Sequence, residues 1–115
     1  MTGKKERDIR ISIVIPCYNE EKTLKKCVER VLEISDEILQ LEIIIIDDCS
    51  KDESLSIARD LANKDPRITV ERHDKNQGKG AALQTGFKKA TGDFIAIQDA
   101  DLEYKTNDIL RLLEP

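Results

Sequence analysis

Aromatic residues make up only 3% of this 115-residue chain: two Tyr, two Phe and no Trp. A groove that stacks bases on successive aromatic faces cannot be built from so few rings. No stripe of Lys and Arg compensates, because 19 basic residues are set against 23 acidic ones for a formal net charge of -4. Both shortages argue against a nucleic-acid partner. Cysteine is scarce as well. Cys17, Cys27 and Cys49 are odd in number and form no C-x-x-C pair, which argues against a structural zinc site and a disulfide framework and leaves reduced thiols. Long apolar runs are missing too: Ile43 to Ile46 is far too short to span a bilayer. Met1 to Arg10 is charged and no signal-peptide core follows it, so the expected compartment is the cytoplasm. What is present is 39% apolar residues, enough for one soluble domain with a modest core.

Along the chain, apolar runs of strand length alternate with segments of helical period. Arg10 to Ile15 is short and β-branched, hence a strand, and Pro16 is expected to end it by removing a ladder donor. Glu20 to Leu39 spaces Leu24, Cys27, Val28, Val31, Leu32 and Ile38 by three and four, the pattern of an amphipathic helix. Leu41 to Ile46 is apolar on both faces, as a central parallel strand covered by helices should be. Ser50 with Glu53 predicts a capping box for a second helix, whose buried stripe is Leu55, Ala58, Leu61 and Ala62. Pro66 breaks to a third strand at Arg67 to Glu71, then Gly78 to Ala90 reads as a helix stopped by Thr91-Gly92. Phe94 to Gln98 is a fourth strand, and Asn107 to Leu113, capped by Thr106, begins a last helix. The order β-α-β-α-β-α-β-α calls for an open, mostly parallel α/β sheet with right-handed crossovers.

In such a sheet ligands bind beyond the carboxyl ends of the strands. Three of those ends are chemically capable: Tyr18-Asn19-Glu20-Glu21, Asp47-Asp48-Cys49-Ser50 and Asp99-Ala100-Asp101. The last is the most telling. Carboxylates at i and i+2 on extended backbone point to the same side, where they can hold a hard divalent cation or share it with a bound phosphate. A buried strand gains nothing from ending in two like charges, so the pair reads as a site. Blander readings fit other residues. Glu21 is read as a first-turn carboxylate favouring its own helix dipole, and Lys88 and Lys89 as a solvated helix end. His73, the only histidine, is expected to be a solvated loop residue and not a ligand. Cys17 and Cys49 end neighbouring strands and read as small apolar packing. Gly78-Lys79-Gly80 completes neither a Walker loop nor G-x-G-x-x-G.

Four segments in order resemble glycosyltransferase family 2: Ile15-Pro16-Cys17-Tyr18-Asn19-Glu20-Glu21, Ile46-Asp47-Asp48-Cys49-Ser50-Lys51-Asp52, Asn76-Gln77-Gly78-Lys79-Gly80-Ala81-Ala82, and Gly92-Asp93 leading to Gln98-Asp99-Ala100-Asp101-Leu102-Glu103-Tyr104. The likeness is greatest to the dolichol- and polyprenyl-phosphate sugar transferases. It implies a Rossmann-like GT-A half-domain, with residues 1–9 a flexible N-terminus and residues 10–115 a nucleotide-sugar-binding part. This part is expected to be truncated on its C-terminal side, because family members continue for roughly another hundred residues. The resemblance further implies that Pro16, Tyr18, Asn19 and Glu20 line the nucleotide, with the Glu20 carboxylate accepting from both ribose hydroxyls. It puts Asp48 at the base edge and Asp47 as a strand-end partner. Lys79 would meet the pyrophosphate or the sugar, and Ala100 the nucleotide. Asp99 and Asp101 would carry Mg²⁺ or Mn²⁺, Asp101 by direct coordination and Asp99 shared with ribose or metal. No other catalytic residue is assigned within the chain.

The function implied is donor binding for hexose transfer from a GDP- or UDP-sugar to a polyprenyl or dolichyl phosphate, metal-dependent and inverting. The acceptor places it in the cytoplasm or peripherally at the cytoplasmic membrane face. Two alternatives stand beside it: a non-catalytic nucleotide-binding module, and a phosphoacceptor receiver domain. In a receiver the acidic pair follows the first strand and a separate Asp the third, whereas here the pair follows the second and the third ends in Glu71-Arg72-His73. A half-domain with an exposed sheet edge is also expected to self-associate.

Overall fold

Ile43 to Ile46 places a β-branched side chain alternately on each face of its strand, and both sets are buried, so the strand is covered on both sides. The computed structural model, which describes residues 9–33 and 39–101, shows how. Its elements are β1 (Ile9–Cys17), α1 (Leu24–Glu33), β2 (Leu39–Asp47), α2 (Ser54–Lys64), β3 (Ile68–Arg72), α3 (Lys79–Lys89) and β4 (Phe94–Ile97). The strands form one parallel sheet in the order β3-β2-β1-β4. Ile11, Ile13 and Ile15 of β1 join Ile43 and Ile45 of β2 under α1 and α2, against Leu24, Val28, Val31, Ala58 and Leu61. Val14, Ile44 and Ile46 face the other way and pack with Ala82 of α3. The period of two along each strand thus divides one run of isoleucines between two cores.

The last helix expected, Asn107 to Leu113 with its Thr106 cap, lies outside the described residues, as do Ile38 and residues 1–8. Pro16 does not end β1. It pairs with Ile46, and the strand continues to Cys17. In parallel pairing alternate residues face opposite neighbours, and Val14 accepts from Gln98 on the β4 side. Pro16 faces that side too, beyond the last β4 pair at Val14 and Ile97, where no donor is needed. The first helix starts at Leu24 and not at Glu20, because residues 18–23 turn away from the strand end first. The Ser50/Glu53 capping box does not form, since α2 starts at Ser54 and Glu53 makes no side-chain cap.

At the opposite end of the sheet a buried carboxylate holds the α3–β4 connection. Glu42 accepts from Ser12 Oγ at 2.6 Å and from the backbone and hydroxyl of Thr91 at 2.8 and 3.1 Å. Gly92 N–H donates to the same Ser12 hydroxyl at 2.8 Å. Burial pushes the Glu42 carboxyl up, but these hydrogen bonds outweigh it and hold it below its ordinary value.

Candidate functional site

The chain runs from β1 to β2 to β3 in one direction across the sheet, then returns to place β4 on the far side of β1. The strand order reverses at β1, and a crevice opens beyond the carboxyl ends of β1 and β4. A cleft of about 470 Å³ lies there. β1 and its following turn contribute Pro16, Cys17, Tyr18 and Glu20, the residue after β2 is Asp48, and the approach to α3 and its first residue contribute Asn76, Gly78 and Lys79. The segment after β4 closes it with Asp99, Ala100 and Asp101. Of the residues that the sequence marks for nucleotide or metal, the structure brings all but Asn19 to this one cleft.

Asn19 sits behind it, in a clamp between two loops. Its N–H donates to Ser50 Oγ at 2.8 Å and its Oδ1 accepts from Lys51 N–H at 2.8 Å. Glu20 N–H donates to Ser54 Oγ at 2.8 Å, and Glu21 N–H to Asp52 at 3.2 Å. Glu21 does not serve its own helix as expected. Its Oε1 accepts from Glu53 N–H at 2.9 Å, at the start of α2. The serine and glutamate that look like a capping box are thus both engaged by β1's loop. Asn19 and Cys49 take left-handed backbone, with φ of 54° and 63°. Asparagine tolerates this, whereas for Cys49 it costs about 1 kcal/mol, held by the surrounding bonds.

Asp48 is a hub. Its Oδ1 accepts from Gln77 N–H at 2.9 Å and lies 2.8 Å from His73 Nδ1, while Oδ2 accepts from Gly78 N–H at 2.8 Å. Its carbonyl accepts from Asn76 Nδ2 at 3.2 Å. Burial pushes the Asp48 carboxyl up, but the Gln77, His73 and Gly78 hydrogen bonds prevail and hold it below its ordinary value. An ionised Asp48 assigns the Nδ1 proton to His73. His73 is therefore not a solvated loop residue: it is buried, and its Nε2 lies 2.8 Å from Thr85 Oγ1. Together they shape the turn into α3, where Gly78 has φ 96°, a conformation only glycine enters cheaply. Asp47 stands beside this hub as a strand-end partner, its Oδ2 accepting from Ser50 N–H at 3.0 Å.

The backbone bends at Ala100 and Asp101, past the end of β4, so the acidic pair is not on a continuing strand. Alternation persists nonetheless: Ala100 is buried between an exposed Asp99 and an exposed Asp101. Two side chains that the sequence did not mark for the site, Thr23 in the turn before α1 and Cys27 on α1, hold this segment. Thr23 Oγ1 donates to the Ala100 carbonyl and lies 3.1 Å from Glu20 Oε2, and the Cys27 thiol donates to the Asp99 carbonyl at 3.4 Å. The only signal for them was their i, i+4 spacing at the start of an amphipathic helix. Burial pushes the Cys17 and Cys27 thiols up to about 12, so both act as packing groups and not nucleophiles.

Asp99 and Asp101 supply hard oxygen donors, and no cluster of three or more His, Cys, Asp or Glu side chains able to hold a cation occurs among the described residues. A pair of carboxylates that leaves positions for water and phosphate oxygens suits Mg²⁺ or Mn²⁺, which retain waters and bind through substrate phosphates. Zinc, which prefers nitrogen and sulfur, does not fit this donor set.

Comparison with known proteins agrees with this arrangement. Residues 12–115 match the family model of glycosyl transferase family 2. A dolichol-phosphate mannosyltransferase of Pyrococcus furiosus is 35% identical over 106 residues, covering 92% of this chain and 30% of that protein. An undecaprenyl-phosphate 4-deoxy-4-formamido-L-arabinose transferase of Proteus mirabilis is 34% identical over 110 residues, covering 94% and 34%. This chain spans about a third of the length of such relatives. Among solved structures, the mannosyltransferase PcManGT from Pyrobaculum calidifontis, in complex with GDP-Man and Mn2+, superposes with a TM-score of 0.71 at 29% identity, over 79% of this chain and 27% of that one. TarS 1-349 of S. aureus in complex with UDP gives 0.72 at 27% identity, over 81% and 28%. These neighbours share the parallel GT-A sheet, and the receiver alternative falls with them. With a family match running from β1 past the acidic pair, on a sheet whose switch point gathers the motif residues, the chain belongs to glycosyl transferase family 2.

Proposed function

We propose that residues 10–115 form the donor-binding part of a hexosyltransferase that takes its sugar from a GDP- or UDP-sugar, transfers it with inversion, and gives it to a polyprenyl or dolichyl phosphate. The observation that carries this is the single cleft at the switch point, where Glu20, Asp48, Lys79 and the Asp99/Asp101 pair converge from four segments. Tyr18, exposed at its rim, offers a flat face beside the base. Glu20 suits the ribose hydroxyls, and the start of α3 at Lys79 presents helix N-terminal N–H groups and a cation to the diphosphate. Asp48 meets the base edge with the lone pair that Oδ2 keeps after accepting from Gly78.

Asp99 and Asp101 would hold Mg²⁺ or Mn²⁺, which when bound supplies Lewis-acid stabilisation of the departing nucleoside diphosphate. The acceptor phosphate is already anionic near neutral pH, so positioning outweighs any protein base. Acceptor recognition is assigned to the portion of the relatives that this chain does not span. Alone, the chain is expected to bind donor and metal weakly and to turn over poorly or not at all, which is also how a non-catalytic nucleotide-binding module would behave. Its proposed location is the cytoplasm or the cytoplasmic membrane face, and no helix among the described residues is long and apolar enough to cross a membrane. We also propose that the chain self-associates through the open side of β4.

Calorimetric titration with UDP and then GDP, each with Mn²⁺, tests the donor site. Saturable binding of at least one nucleotide is expected, and no binding of either at millimolar ligand overturns the assignment. Asp101→Ala should weaken the Mn²⁺-dependent binding roughly tenfold or more, since loss of even an outer-shell partner has that effect.

A further inference from the structure

Lys79 and Asp99 are each suited to a different part of a bound ligand, yet in the structure they hold one another. Lys79 Nζ lies 2.7 Å from Asp99 Oδ1, with the two side chains 59% and 51% exposed. Both line the cleft, Lys79 from the first residue of α3 and Asp99 from the segment after β4. The ion pair therefore spans the cleft between two separate walls. A carboxylate oxygen paired at this distance with an ammonium group is a poorer ligand for a divalent cation, because the two cations repel and compete for the same lone pairs.

We propose that Lys79 is the counter-ion of Asp99, released to the nucleotide's diphosphate when a divalent cation takes that carboxylate. Lys79 is then a positioning residue that couples metal binding to nucleotide binding. The inference rests on reading the cleft as a metal-dependent nucleotide site. Its physical basis is the flexible four-carbon stem, which lets one ammonium serve either anion, and the exposure of both partners, which makes the exchange cheap. Coupling of this kind is reciprocal: metal favours nucleotide by the factor by which nucleotide favours metal.

The signature is a pair of effects of opposite sign. In Lys79→Met the competing cation is gone, so Mn²⁺ alone should bind roughly two- to fivefold more tightly, the range for loss of an exposed ion pair. The same variant should bind UDP or GDP roughly tenfold or more weakly, having lost a charged hydrogen bond to phosphate. Lys79→Arg, which keeps the charge, should stay near wild type in both. The measurement is electron paramagnetic resonance of free Mn²⁺ against the 115-residue chain, with and without each nucleotide, with nucleotide affinity read by calorimetry. Unchanged or weaker Mn²⁺ binding in Lys79→Met overturns the exchange. So does a wild type that binds nucleotide but no Mn²⁺ at millimolar concentration, although the nucleotide reading then survives. A wild type that binds neither removes that reading and the exchange together.

Discussion

Asp48 and Glu42 are carboxylates buried at opposite ends of the sheet, and each is surrounded by donors from a loop it organises. Both fold with their carboxyl held below its ordinary value, 3.8 for Asp48 and 4.5 for Glu42. Just below those values the unfolded chain binds more protons than the folded one. Their contribution is therefore complete above the ordinary values and disappears as pH falls through the folded ones. The urea midpoint should stay level from neutrality to about pH 5 and decline below that. Glu42→Gln should make that acid limb shallower, and a midpoint that holds steady to pH 3 would contradict the account. His73 shows why such a hub is hard to read in a sequence. Glu71, Arg72, Asp74 and Lys75 surround it with charge, which locally signals solvent. Its burial comes from Thr85 and Asp48, 12 and 25 residues away, which meet its two ring nitrogens. Asp48 was legible as a strand-end carboxylate, but the direction it faces was not.

Among the elements, α3 packs closely on the sheet at Gly86. A Cβ there would come within 2.3 Å of Val14 Cγ1. Alanine is the better helix former by about 1 kcal/mol, yet the overlap with a fully buried valine outweighs that gain. Gly86→Ala should destabilise the fold by about 1–3 kcal/mol in urea unfolding. Val14→Ala introduced beside it should recover part of the loss, a sign of coupling between the two sites. Additive losses would place the cause elsewhere. Strands and helices were legible as elements because two-faced isoleucine runs and three-four spacing are local signals. Their ends were misread where a partner from another loop intervenes. Ser50 and Glu53 fit a capping box until Asn19 and Glu21, 31 and 32 residues earlier, claim the same hydroxyl and N–H. Pro16 fits a strand end until the position of β4 shows that its missing donor has nothing to meet.

For the molecule as a whole, the open side of β4 is the conspicuous surface. Phe94 is 53% exposed, Ile95 and Ile97 are exposed beside it, and Phe87 of α3 adjoins them. Among the described residues β4 pairs only with β1, and its other edge, unpaired within them, lies next to an apolar face. Sedimentation of the 115-residue chain should show a weight-average mass that rises with concentration. Ile95→Lys should lower it. A monomer that persists at high concentration would remove the proposed self-association.

The place of β1 between β2 and β4 also governs how the protein comes into being. β1 pairs with β4 from Ile11↔Phe94 onward, and Asp93 N–H reaches back to the Arg10 carbonyl. On the ribosome β1 therefore emerges long before its second neighbour, and its open side remains a hazard for mispairing until Phe94 to Ile97 arrive. The cleft has no existence in the nascent chain before that moment. Among the described residues that line it, Pro16 to Glu20 are synthesised early and Asp99 to Asp101 late, so this lining is complete only after β4 has been made.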